Sequence, residues 1–153
     1  MVRLYYLNSL AHFYSLVDNI EVAKKCLQDG LEIYENNKNT EGLENYFIEN
    51  MIQYSSICIS EGNTLIAAKQ LESVMSLFVD LDEFKENKPS LHRNYLFQMG
   101  KLEKTRGNYF DAYKLINKAH NLLRNFDDLS LSFRIDCLEL KFLLFYFSNA
   151  NFF

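Results

Sequence analysis

A motif of small residues recurs three times along this chain at nearly constant spacing. Its cleanest copy is GNYFDAYKLINKA (107–119), and weaker copies are EGNTLIAAKQLESV (61–74) and VDNIEVAKKCLQDG (17–30). The central alanines of the three copies, Ala23, Ala67 and Ala112, lie 44 and 45 residues apart. Self-similarity at a fixed period of this length is typical of proteins that stack one supersecondary unit repeatedly.

Each copy follows a second periodic segment. The four apolar or small positions of these segments are Leu7, Leu10, Ala11 and Tyr14; Met51, Tyr54, Ser55 and Cys58; and Leu96, Met99, Gly100 and Glu103. Offsets of three, four and seven residues put each quartet on one helix face, and the third member is always small. Because side-chain size sets the distance between helix axes, each repeat is predicted to be a closely packed helix pair. In the third repeat Gly107 and Asn108 tolerate the positive φ of a tight turn.

The third of these repeats resembles the tetratricopeptide repeat. The matching residues are Leu96, Met99, Gly100, Gly107, Tyr109, Ala112, Ile116 and Ala119. The second repeat departs from the pattern at Thr64, where an aromatic residue is usual, and none of the three repeats closes with the customary proline. The period also exceeds the usual length of about 34 residues, so we expect each helix to be longer by a turn or more. Long, degenerate repeats of this kind resemble those of the peptide-pheromone receptors of Gram-positive bacteria, whose repeat domain binds a short signalling peptide.

The expected fold is therefore all-α: one domain over residues 1–153, formed as a right-handed tetratricopeptide-like superhelix of three helix-turn-helix repeats and a C-terminal capping helix. The repeats are placed at about 1–38, 39–86 and 87–126, and the capping helix at about 127–148. Helices are predicted at 2–17, 19–36, 41–61, 64–82, 90–106, 109–125 and 128–147. The low content of turn residues, with five glycines and one proline, agrees with long helices.

The last predicted helix carries two apolar stripes. The first contains Leu131, Ile135, Leu138, Phe142 and Phe145, and the second contains Leu140, Leu143, Leu144 and Phe147. A helix that is apolar on both sides is buried on both sides. We expect the first stripe to cover the last repeat, as terminal caps do in solenoids. The second stripe is then the predicted interface for a homodimer or for another protein.

Charge and cysteine content exclude several classes of protein. The net charge is −4 and no cluster of Lys and Arg occurs, so no nucleic-acid partner is expected. The three widely spaced cysteines are expected to be free thiols in a reducing compartment. The start lacks a signal peptide, and the most apolar run, FLLFYF (142–147), is too short to cross a bilayer. A cytoplasmic protein without a membrane partner is the expectation.

Catalytic and metal-binding motifs are also missing from the sequence. His12, His92 and His120 are not within helical reach of one another or of a cysteine, so no zinc pattern exists. Phosphate-loop, dinucleotide-binding and nucleophile-elbow motifs do not occur. We therefore expect no enzyme activity, no cofactor and no metal.

The resemblance implies that the first helix of each pair lines a concave groove. The positions that would line it are Tyr5, Asn8, His12, Gln53, Asn94, Phe97, Gln98 and Lys101. Amide side chains donate and accept, so they can pair with an extended peptide backbone, and Tyr5 and Phe97 would form apolar pockets. Only Lys101 is basic, which disfavours a clamp for a peptide carboxylate. The alternative is that these amides merely solvate an exposed face.

Two functions are favoured at this point over a third, a phosphatase-like or other enzymatic role. The first is a non-catalytic domain that binds a peptide or protein segment in its groove, as the regulatory part of a signalling or transcription regulator. The second is a structural scaffold module that docks a partner, or dimerises, through the apolar C-terminal helix.

Overall fold

The structure is a computed structural model that describes residues 2–38, 40, 42–123 and 131–150; in the last helix, side chains are described for residues 135 and 137–146. The described residues form eight α-helices and no β-strand, which confirms the all-α prediction. The helices are α1 (Val2–Leu16), α2 (Ile20–Glu35), α3 (Glu44–Ser60), α4 (Thr64–Met75), α5 (Leu81–Asn87), α6 (Pro89–Thr105), α7 (Tyr109–Leu123) and α8 (Leu131–Ala150).

The region after α4 differs from the prediction. The helix expected at 64–82 ends at Met75, and a separate short helix, α5, follows it. The side chain of Asp80 accepts hydrogen bonds from the backbone N–H groups of Asp82 and Glu83, which caps the start of α5. Pro89 begins α6 and disfavours a helical conformation at the preceding residue, so α5 ends before it. The extra length of the predicted second repeat therefore forms a new helix rather than a longer α4.

The chain divides into two compact units, Met1–Val79 and Asp80–Phe153. In the first unit α1 packs on α2, α3 packs on α4, and both α1 and α2 contact α3. Its core combines small residues with large apolar ones, and it contains Ala11, Ala23, Cys26, Leu27 and Ile57, with Leu7, Leu10, Tyr14, Ile20 and Tyr54 packed around them. A second cluster contains Leu4, Leu43 and Tyr46.

In the second unit α6 packs on α7, α7 packs on α8, and α5 contacts α6. Helices α6 and α7 approach closely at Gly100. A Cβ atom added there would lie 2.5 Å from Cγ1 of Ile116 and 3.3 Å from the carbonyl oxygen of Ala112. This confirms that Gly100 and Ala112 mark a close helix contact.

The connections α1–α2, α3–α4 and α6–α7 share one turn geometry. Each has a residue with positive φ, namely Asp18 (59°), Gly62 (79°) and Gly107 (83°). The N–H of the following asparagine donates to the carbonyl five residues earlier, in the pairs Asn19–Tyr14 (2.8 Å), Asn63–Cys58 (2.8 Å) and Asn108–Glu103 (2.9 Å). This is the Schellman arrangement, in which a left-handed residue lets the chain satisfy the last carbonyls of a helix. In the third turn Gly107 alone takes the positive φ, whereas Asn108 does not.

Candidate functional site

The predicted groove positions of the first unit do not form one exposed surface. Tyr5 and His12 are exposed and Gln53 is half-buried, whereas Asn8 is only 3% exposed. The assignment of Asn8 to a ligand-binding surface is therefore wrong. Its side chain is occupied by contacts between helices.

Asn8 belongs to a buried polar cluster that joins three helices. The amide nitrogen of Asn50 lies 3.2 Å from Oδ1 of Asn8, 3.0 Å from the carbonyl oxygen of Leu27 and 3.1 Å from the hydroxyl oxygen of Tyr46. The amide nitrogen of Asn8 in turn lies 3.4 Å from the carbonyl oxygen of Tyr46. Burial raises the pKa of the neighbouring Glu49 carboxyl, although a hydrogen bond with Asn8 opposes this rise. The cluster therefore supports the packing of α1 and α2 on α3.

The predicted groove positions of the second unit are also partly buried. Phe97 is 4% exposed, so its assignment as an open apolar pocket is wrong. The ammonium group of Lys101 lies 5.6 Å from the centroid of the Phe97 ring, a cation–π contact that helps to cover it. Asn94 accepts a hydrogen bond from the guanidinium of Arg93 (Nη2–Oδ1 3.3 Å) and, like Gln98, is half-buried. Asn94, Gln98 and Lys101 are the predicted groove residues of this unit that remain near solvent.

Several buried polar atoms lack a hydrogen bond within the described part of the chain. They include Oε1 of Gln53, Oε1 of Gln98 and Nδ1 of His92. His92 is 5% exposed beside Phe84, and its ring centroid lies 5.3 Å from that ring. Its burial lowers the pKa of the imidazole, and Lys85 and Lys118 act in the same direction. The periodic pattern did not single out His92 or Arg93 as buried, because both are polar residues on a helix end.

In helix α8 the stripe predicted to cover the last repeat is exposed, and one residue of the predicted interface stripe is buried. Leu144, expected at an interface, is fully buried together with Cys137, seven residues earlier on the same line. Leu140 is half-buried, Leu143 is 40% exposed, and the side chain of Phe147, like that of Leu131, lies outside the described residues. The assignment of the first stripe to the core is wrong, because its four residues with described side chains are between 46% and 70% exposed.

The opposite side of α8 is an exposed apolar surface, which we call the outer face. It contains Ile135 (46% exposed), Leu138 (51%), Phe142 (70%), Phe145 (61%) and Tyr146 (65%). Aromatic side chains cover about 150–250 Å² each, so this face presents on the order of 600 Å² of apolar surface. Soluble monomers rarely expose a contiguous apolar patch larger than a few hundred Å². This face is therefore the strongest candidate for a binding site among the described residues.

The residues that the structure describes contain no group of three or more His, Cys, Asp or Glu side chains that could hold a metal ion. Cys26, Cys58 and Cys137 are buried and outside any disulfide, and burial raises the pKa of the Cys26 and Cys58 thiols. A raised thiol pKa makes the nucleophilic thiolate scarcer.

The fold and the site together define an all-helical protein with an exposed apolar helix. No protein-family model matches the chain, and no curated protein or solved structure is similar to it. Within residues 2–38, 40, 42–123 and 131–150, no helix is both long enough and apolar enough to span a bilayer.

Proposed function

We propose that this chain is a non-catalytic interaction module of the tetratricopeptide type that docks a protein through the outer face of α8. The observation that carries the proposal is the exposure of five apolar side chains, three of them aromatic, on one side of one helix. Aromatic residues at such a density are typical of the energetically dominant part of protein interfaces.

The repeat assignment within this proposal has its own support. Consecutive helices pack in pairs, α1 with α2, α3 with α4 and α6 with α7. Their three turns have the same hydrogen bonds, and the alanine four residues after each turn asparagine is fully buried: Ala23, Ala67 and Ala112. Three helix-turn-helix repeats are what we propose on this basis.

A photo-crosslinking experiment tests the docking role. A photoreactive amino acid at position 142 is expected to form a covalent adduct with a protein in an extract of the native host. Position 110 provides a matched control, because Phe110 of α7 is 66% exposed and lies outside the outer face. If position 142 gives no adduct beyond that of position 110, the outer face is not a docking site.

Peptide binding at the remaining groove positions is the second candidate function. The observation in its favour is that Gln53 and Gln98 lie 45 residues apart at equivalent repeat positions, and each has an amide oxygen without a hydrogen bond in the described structure. In this function a peptide bound on either unit would donate a hydrogen bond to the glutamine oxygen of that unit, as in a regulator that responds to a signalling peptide. Loss of peptide binding in Gln53→Ala or in Gln98→Ala would support it, whereas wild-type affinity in both variants would rule it out.

A further inference from the structure

We infer that the protein docked on the outer face is a second copy of this chain, and that the two α8 helices pair in parallel about a two-fold axis. This inference rests on the proposed docking role of the outer face. It adds the identity of the partner and the direction of the pairing.

The spacing of the exposed residues supports pairing between two helices. Ile135, Leu138, Phe142 and Phe145 follow one another at intervals of three, four and three residues, which is the a/d pattern of a coiled-coil seam. All four are between 46% and 70% exposed. A seam of this kind matches another helix with the same spacing, and a second α8 has that spacing by definition.

The rest of the second unit leaves the seam accessible. At 3.6 residues per turn, the buried residues Cys137 and Leu144 point away from the line through Ile135 and Phe142. Because α7 packs on α8, the side chains that face a second copy are on the far side from that contact. The exposed apolar surface, on the order of 600 Å² per copy, approaches the roughly 800 Å² that each partner contributes to a standard interface.

The charges beside the seam select the direction of pairing. Glu139, which is exposed, flanks one side of the seam, and Lys141, which is half-buried, flanks the other. In a parallel pair each flank meets the opposite flank of the partner, so the flank that carries Glu139 approaches the flank of the second copy that carries Lys141. In an antiparallel pair each flank meets its own counterpart, which places like charges together. Opposite charges therefore favour the parallel arrangement.

Sedimentation equilibrium of the full chain tests the self-association. We expect a dimer, and we expect Phe142→Asp to raise its dissociation constant by about 30-fold or more, the loss typical of a central aromatic residue. Phe110→Asp is the control: the exposure is nearly the same, on a helix outside the seam, and the dimer should persist. A monomer at every concentration, or a dimer insensitive to Phe142→Asp, would overturn the inference.

Disulfide cross-linking of Ile135→Cys tests the direction of pairing. In a parallel pair the two copies of this position are neighbours, and oxidation should yield a covalent dimer. In an antiparallel pair they would be about 16 Å apart along the helix axis, too far for a disulfide. The native cysteines do not interfere, because Cys26, Cys58 and Cys137 are no more than 8% exposed. A dimer that depends on Phe142 but does not cross-link at position 135 would overturn the parallel pairing.

Charge reversal gives a second measure of direction. Glu139→Lys should weaken a parallel dimer by about threefold, as expected for two exposed ion pairs, and Glu139→Lys combined with Lys141→Glu should restore it. Equal affinity in the wild type and the single variant would contradict the pairing of these flanks.

The outcomes separate this inference from the proposed function. A purified chain that remains monomeric, while position 142 cross-links to a different protein in the extract, would refute the second copy and leave the docking role intact. If a photoreactive residue at position 142 yields no adduct either in the purified chain or in the extract, both proposals fail.

Discussion

A Cβ atom added to Gly30 of α2 would lie 1.7 Å from the hydroxyl oxygen of Tyr46 on α3. Tyr46 is fully buried, so its ring has little room to move aside. We expect Gly30→Ala to reduce the free energy of unfolding by about 2 kcal/mol, because overpacking outweighs the gain in helix propensity. Urea denaturation measures the loss.

The same contact supplies a matched control for that variant. Tyr46→Phe removes the clashing oxygen and leaves Cζ, 3.0 Å from the added Cβ, as the nearest atom. Gly30→Ala should therefore cost much less in the Tyr46→Phe background than in the wild type. An equal cost in both backgrounds would show that the hydroxyl contact is not the cause.

Asn50→Ala should be among the most destabilising polar substitutions in the first unit. The side chain is fully buried, and its loss removes bonding partners from Asn8, from the hydroxyl of Tyr46 and from the carbonyl of Leu27. We expect the free energy of unfolding to fall by about 2–3 kcal/mol. The control is Asn37→Ala, which removes an exposed hydrogen bond to the Ile33 carbonyl and should cost less than about 0.5 kcal/mol. Similar losses for the two variants would contradict a stabilising role of the buried cluster.

The three equivalent turns predict opposite effects for opposite substitutions. Gly107→Ala should reduce the free energy of unfolding by about 1 kcal/mol, because alanine is strained at the φ of 83° that this position adopts. No atom lies within 4 Å of the added Cβ, so backbone strain is the only cost expected. Asp18→Gly should stabilise by about 0.5 kcal/mol, because it relieves a non-glycine residue at φ 59°. Thermal unfolding of both variants measures this pair, and a shift of the same sign in both would refute the argument.

Acidification should destabilise the second unit through His92. Because burial lowers the pKa of this imidazole below its ordinary value of 6.5, the unfolded chain takes up a proton first as pH falls. The free energy of unfolding should therefore decrease from just above pH 6.5 downward, until the folded state is protonated as well. His92→Gln should reduce this slope between pH 7.5 and 5, whereas the exposed control His12→Gln should not. An unchanged slope in His92→Gln would exclude the histidine as the cause.

The repeat pattern predicted the pairing of helices well. The small residues Ala11, Ala23, Ala67 and Gly100 are buried, and Gly107 takes the positive φ expected of the third turn. These features are local, since a helix period of 3.6 and a glycine after a helix act within a few residues. The break between α4 and α5 was not predicted, because it depends on the cap that Asp80 provides and on Pro89, two local signals outside the repeat pattern.

The candidate site was predicted less well. Asn8 and Phe97 were assigned to an open groove and are buried, whereas Leu144 was assigned to an interface and packs inside. In each case the residue type suits more than one environment. An asparagine can satisfy its amide inside a polar cluster, and a phenylalanine or leucine is stable wherever a neighbouring helix covers it.

The sequence by itself determined that this chain is helical, where most helices begin and end, and which small residues mark close contacts between them. Tertiary structure alone decided which stripe of α8 is covered and which is exposed. The two stripes are almost equally apolar, so burial of either would be favourable. Only packing in three dimensions makes the choice: α7 packs on α8, Cys137 and Leu144 are buried, and Phe142 is left in contact with solvent.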